Sequence, residues 1–173
     1  MGGYARHLVK RFFFSLLPGG PRADDVRWLA EVLEPAQFRL WCRMSGPDRR
    51  HAVRCGRHVQ RRLGPDAPRE VVQAAIMHDV GKLDSRLRTY GRVVATLCGA
   101  LAGRETAHLW VRGSGFTRRV GLYLLHPELG ADMLELAGSH DLVVRWAREH
   151  HLPESQWTVD VEIGRILREA DGA

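Results

Sequence analysis

The sequence predicts an all-α protein. Apolar residues recur at helical spacing along nearly the whole chain, and no stretch shows the period-two alternation of a half-buried strand. Proline and glycine fall mostly between the periodic segments, where they act as stops and starts. The β-branched pairs Val71-Val72 and Val93-Val94 sit inside helical spacing and are read as helix.

The elements follow in order. Tyr4 to about Leu17 reads as an amphipathic helix closed by Pro18-Gly19-Gly20-Pro21. A second helix runs from about Asp24, taken as its N-cap, to Leu33, and a third from Pro35 to near Met44. Ser45-Gly46-Pro47 opens a fourth that reaches Leu63 before Gly64-Pro65. A fifth, about Pro68 to Val80, is strongly apolar, and Gly81 is taken as its C-terminal stop. A sixth covers about Ser85 to Leu101. Gly103 to Thr117, dotted with glycine and basic residues, is read as a loop or broken helix. The next helix ends at His126, where the following proline bends the chain, and Pro127 starts another to about Ala137. Asp141 is taken to cap a helix to about His151, and Asp160 to cap the last, Val161 to about Ala170.

Composition narrows the class. With 173 residues the chain buries enough surface to fold without a disulfide or structural metal. Its 45% hydrophobic and 27% charged residues are those of a globular protein, which excludes disorder as the general state. Three scattered cysteines, Cys42, Cys55 and Cys98, argue against a secreted disulfide framework and against a zinc ribbon. Phe12 to Leu17 is too short to span a bilayer and lacks a signal-peptide cleavage pattern, so a cytoplasmic location and no transmembrane segment are expected. The net charge of +6 favours anionic partners. It is compatible with nucleic acid without predicting it.

The chemistry concentrates on histidines. His78-Asp79 closes the apolar run Val71 to Met77 and is followed by Gly81-Lys82. A histidine and a carboxylate at the end of a buried helix need partners, and a divalent cation satisfies both. As an isolated dipeptide the pair reads equally as a polar helix end. Upstream, His51, Cys55, Val59 and Leu63 share one helical stripe, so His51 can face the core. His58, seven residues on, nearly eclipses it, and periodicity does not separate the two. Arg50, Arg54, Arg57 and Arg61 form a neighbouring stripe, read as a solvated face whose nearer end reaches a bound phosphate. Downstream, His126 sits at a helix junction, His150-His151 at a helix end, and Asp171 on the stripe Ile163, Leu167, Asp171.

In that order, His51, His78-Asp79, His126, His150-His151 and Asp171 resemble the HD-domain superfamily of metal-dependent phosphohydrolases. The phrase Ala74 to Lys82 is close to the central signature of that family. Asp48-Arg49-Arg50-His51-Ala52-Val53 is similar to the stretch around its first histidine, which favours His51 over His58. The resemblance covers residues 47–173. It implies a single compact HD-domain-like helical bundle there, with residues 1–46 as an N-terminal helical extension.

The resemblance also implies a ligand set. His51, His78, Asp79 and Asp171 match the family's first metal, with His126, His150 and His151 matching the ligands of a second. Asp79 then bridges two divalent cations (manganese, iron, zinc or magnesium) about 3.5–4 Å apart that activate a water against a phosphoryl group. Asp79 and Lys82 take the catalytic roles. Lys82, Arg54 and Arg118 are the expected substrate contacts, with Arg112 and Arg119 beside Arg118. The expected activity is hydrolysis of a small phosphate mono- or diester such as a nucleotide. His150-His151 is followed by Leu152-Pro153-Glu154-Ser155, not by the Gly-Tyr-Pro run of the cyclic-dinucleotide phosphodiesterase branch. The alternative reading is a catalytically inactive HD-type domain that binds metal or nucleotide for regulation. A third, a nucleic-acid or membrane-surface module, draws on the charge and on Lys10-Arg11-Phe12-Phe13-Phe14.

Overall fold

The computed structural model describes residues 19–87 and 89–172, with the backbone alone at 89–90 and 100–105. The helix expected over Tyr4 to Leu17 lies outside the described residues. Among these, all regular structure is helical, without a strand. The elements are α1 (Ala23–Val32), α2 (Pro35–Arg43), α3 (Gly46–Leu63), α4 (Arg69–Met77), α5 (Lys82–Ser85), α6 (Thr89–Val111), α7 (Gly115–Leu124), α8 (His126–Leu136), α9 (Asp141–Glu149) and α10 (Val161–Gly172), with a 3-10 turn at Glu154–Gln156.

The hub is α4. Val71 to Met77 are all buried, as expected for a helix that is apolar on every side. It packs against α1, α3, α9 and α10. Gln73, its polar exception, donates from Nε2 to the Val32 carbonyl at 2.8 Å, which satisfies the buried amide. The core around α4 holds Leu29, Trp41, Val59, Ile76, Leu134, Trp146 and Leu167, each 0–1% exposed. Residues 23–44, expected as part of an extension, contribute Trp28, Leu29, Leu33, Trp41 and Met44 to that same core. Glycine at position 56 lets α3 approach closely: a Cβ there would stand 2.6 Å from Ile76 Cγ1 and 2.9 Å from Trp28 Cη2. A smaller cluster of Leu87, Ala95 and Val120 joins α6 to α7.

Several boundaries differ from the sequence reading. Of the two readings of Gly103 to Thr117, the broken helix holds: α6 continues through Gly103 to Val111, the chain breaks at residues 112–114, and Gly115 opens α7, against which α6 packs. Helix α4 ends at Met77, before Gly81, and Gly81 is right-handed at φ −64°, so it is not a left-handed cap. The break between α7 and α8 falls at Leu125, which places His126 inside the first turn of α8. Asp24 and Asp141 are first-turn residues, not N-caps. Arg22 holds the cap position of α1, and the His140 ring caps α9 by accepting from the Leu142 amide. Asp160 does cap α10, through the Ile163 amide at 3.0 Å.

Candidate metal centre

Helix ends assemble the centre. His51 projects from the second turn of α3, and His78 and Asp79 follow the last residue of α4. His126 opens α8, His150 and His151 follow α9, and Asp171 lies in the last turn of α10. These residues span 120 positions of sequence from His51 to Asp171, yet the two side chains meet at 2.9 Å.

The carboxylate of Asp79 stands in the middle. Its Oδ2 lies 3.5 Å from His78 Nε2 and 3.9 Å from His51 Nε2. Its Oδ1 lies 3.4 Å from His126 Nε2 and 3.7 Å from His150 Nε2. Asp171 Oδ1 completes the first side, 2.9 Å from His51 Nε2 and 3.4 Å from His78 Nε2. On the second side the His151 ring lies tilted against His150 and edge-on to His126, with ring centroids 4.1 and 5.1 Å away. Donor atoms of His51, Cys55, His78 and Asp171 all lie within 4.8 Å of one another, as do those of His126, His150 and His151. One carboxylate thus joins two groups of donors.

The ring orientations are set from behind. Each of three histidines donates from Nδ1 to the carbonyl three residues earlier: His78 to Ala75 at 2.9 Å, His126 to Tyr123 at 2.6 Å and His150 to Ala147 at 2.8 Å. A proton held at Nδ1 leaves the lone pair on Nε2, pointing into the centre. All three Nε2 atoms are buried without a hydrogen bond. Orphaned buried nitrogens are costly; three converging beside one carboxylate fit a divalent cation. His51 is held differently. Arg54 donates to its Nδ1 at 2.9 Å, so Nε2 carries the proton and donates to Asp171.

Electrostatics agree with that fit. For Asp79, burial opposes the charge, but the Lys82 ammonium, then His78 and His126, hold its carboxyl well below the ordinary range. Lys82 is itself buried and bonds to Asp79 Oδ2. Burial pushes His126 and His150 down, and the neighbouring histidines push His150 further. Desolvation of the ring and then the charge of His126 bring His151 to about 3, although the residue as a whole is exposed. His78 goes the other way: burial lowers it, but Asp79 and Asp171 outweigh burial and raise it. The second group is therefore neutral and ready to donate at physiological pH, whereas His78 retains more affinity for a proton.

The candidate ligands His51, His78, Asp79, His126, His150, His151 and Asp171 are brought together, with Lys82 among them. His58 is elsewhere, 3.5 Å from Glu169. The arginine stripe is more engaged than a solvated face. Arg50 bonds the Gly19 carbonyl, Arg54 meets His51, and the Arg57 guanidinium lies 3.9 Å over the Trp28 ring. Arg112, Arg118 and Arg119 are exposed. Two participants were not singled out in the sequence. Cys55 joins the first group, and Glu149 accepts from the Thr158 amide and hydroxyl and the Val159 amide, pinning the chain beyond His151. The helical stripe shared by His51 and Cys55 was a legible signal for the former. Glu149 had no such signal, because its partners lie in an irregular segment. Comparisons with known protein families, with curated proteins and with solved structures find no match.

Proposed function

We propose that the protein is a metal-dependent phosphohydrolase of the HD type, acting on a small phosphate mono- or diester. The observation that carries the proposal is the Asp79 carboxylate, with one oxygen turned to each of two donor groups and three buried, unbonded Nε2 atoms around it. His51, His78, Asp79 and Asp171 would hold one divalent cation, and Asp79, His126, His150 and His151 a second. Manganese, iron, zinc and magnesium all accept imidazole and carboxylate donors to different degrees. When bound, such ions supply Lewis acidity and a water of lowered pKa.

The chain's own residues do the rest. Asp79, kept ionised by Lys82, presents one oxygen to each donor group. The Nδ1–carbonyl bonds fix three rings so that no reorientation accompanies binding. Lys82 and Arg54 are the cations beside the centre and bind and orient an anionic phosphoryl group. No step is assigned to Arg118.

The second reading, an HD-type domain that binds metal or nucleotide without turnover, draws on Lys82. Its ammonium already neutralises the Asp79 carboxylate from within the fold. Elemental analysis of purified protein and of His78→Ala and Asp79→Ala, followed by a phosphate-ester screen on the loaded protein, separates the readings. The hydrolase reading expects about two equivalents of metal, lost in both variants, and ester turnover. Bound metal with no turnover on any mono- or diester transfers the conclusion to the regulatory reading. No metal after reconstitution refutes the hydrolase reading and leaves the nucleotide-binding form of the regulatory one.

A further inference from the structure

The two halves of the centre are not chemically alike. The half built on His126, His150 and His151 offers imidazole nitrogen beside Asp79 Oδ1. The half built on His51, His78 and Asp171 contains a sulfur. Cys55 lies one turn beyond His51 on α3, with Sγ 3.5 Å from His51 Nε2 and 3.7 Å from its Nδ1. It is 1% exposed and stands on the stripe between His51, in the centre, and Val59, in the core.

Buried cysteine often serves only as a small apolar side chain. Here a second observation points to a ligand: the Nε2 of His78, 2% exposed, has no hydrogen bond and belongs to the same donor group as Sγ. Reach agrees as well. Sγ lies beside the His51 ring, nearly equidistant from its two nitrogens, and one donor atom each from His51, Cys55, His78 and Asp171 fall within 4.8 Å of one another, so side-chain rotation brings all four onto one cation.

We infer that Cys55 is a thiolate ligand in the half of the centre that contains His51, His78 and Asp171, and that it makes this half select a thiophilic cation such as zinc or iron(II). The inference rests on the reading of the cluster as a metal centre. On loading, the S–H bond of Cys55 and the Nε2–H bond of His51 each give a proton to solvent as the metal bonds form, so cation uptake at this half releases both. Thiolate favours zinc and iron, whereas the other half, with imidazole and carboxylate donors alone, also suits manganese. The two halves therefore differ in which ion they prefer.

Cobalt(II) titration of the metal-stripped full chain tests this directly. Stoichiometric cobalt is expected to give an intense near-ultraviolet sulfur-to-cobalt charge-transfer band. The band should persist in the Cys42→Ser/Cys98→Ser protein and be lost in Cys55→Ser. Should Cys55→Ser fail to fold, zinc-edge X-ray absorption on the wild-type chain gives the same answer through a sulfur scatterer at about 2.3 Å. Cobalt or zinc that binds without the band or the sulfur shell overturns the role of Cys55 and leaves the metal centre standing. Failure to bind either ion overturns both.

Discussion

Gly81→Ala isolates the contact that holds the second half of the centre in place. The glycine has φ −64°, a conformation open to any residue, so its small size is what matters. A Cβ there would stand 2.0 Å from the His126 carbonyl oxygen and 2.5 Å from the Gly130 amide nitrogen. Both neighbours are backbone of α8 and cannot rotate away. Restoring even a tight 3.4 Å contact with that oxygen moves α8 by about 1.4 Å, measured from the 2.0 Å approach. Ligand positions tolerate about 0.2 Å, so His126, whose Nε2 is 3.4 Å from Asp79 Oδ1, leaves its place. The energies oppose each other. Removing glycine entropy stabilises by about 0.5–1 kcal/mol, while overpacking against backbone costs about 1–3 kcal/mol or more. A net loss of about 2 kcal/mol lowers Tm by roughly 4–8 °C in a chain of this size. Differential scanning calorimetry with elemental analysis is expected to show that loss, together with one equivalent of metal gone and the other retained. A Tm that is unchanged or higher, with both equivalents bound, would refute the reasoning, because it would mean that α8 does not press on this turn.

Two other outcomes are expected. Asp48 and Arg92 form a two-point ion pair that ties α6 to the start of α3, and burial of Asp48 is outweighed by Arg92, so its pKa is lowered. Asp48→Asn should cost about 3 kcal/mol at neutral pH by leaving Arg92 half-buried and unmatched. Because the folded pKa is depressed, that advantage is complete above the ordinary carboxylate value of about 3.9 and fades as pH falls through the folded value; urea melts of both proteins from pH 7 to 3 should converge, and parallel curves would discount the pair. Metal loss should also be stepwise. His78 is raised while His126 and His150 are lowered and His151 lies at about 3, so falling pH protonates the His51–His78–Asp171 half first. Dialysis at descending pH followed by metal analysis should pass through a one-equivalent plateau, and a single concerted loss would contradict the assigned asymmetry.

How much of this was legible beforehand depends on the range over which each feature is determined. The fold class followed from helical spacing, a local property of neighbouring residues, and it held throughout the described residues. The preference for His51 over His58 came from the phrase around it, since both lie on nearly the same face of α3; only packing against α10 brought His51 to Asp171 and sent His58 to Glu169. Gly81 was misread as a cap because its real constraint, the backbone of α8, lies 45 residues away from it at His126.

By itself the sequence determined which residues could donate to a cation and in what order they occur, because residue chemistry and local periodicity need no tertiary information. The resemblance already implied that Asp79 serves two ligand sets; the tertiary structure added which oxygen faces which donor group, that Lys82 bonds one of those oxygens, and that Cys55 belongs to one half. Those facts depend on where the ends of α4, α8, α9 and α10 converge, and convergence is set by the burial of Val71 to Met77 on every side of one central helix.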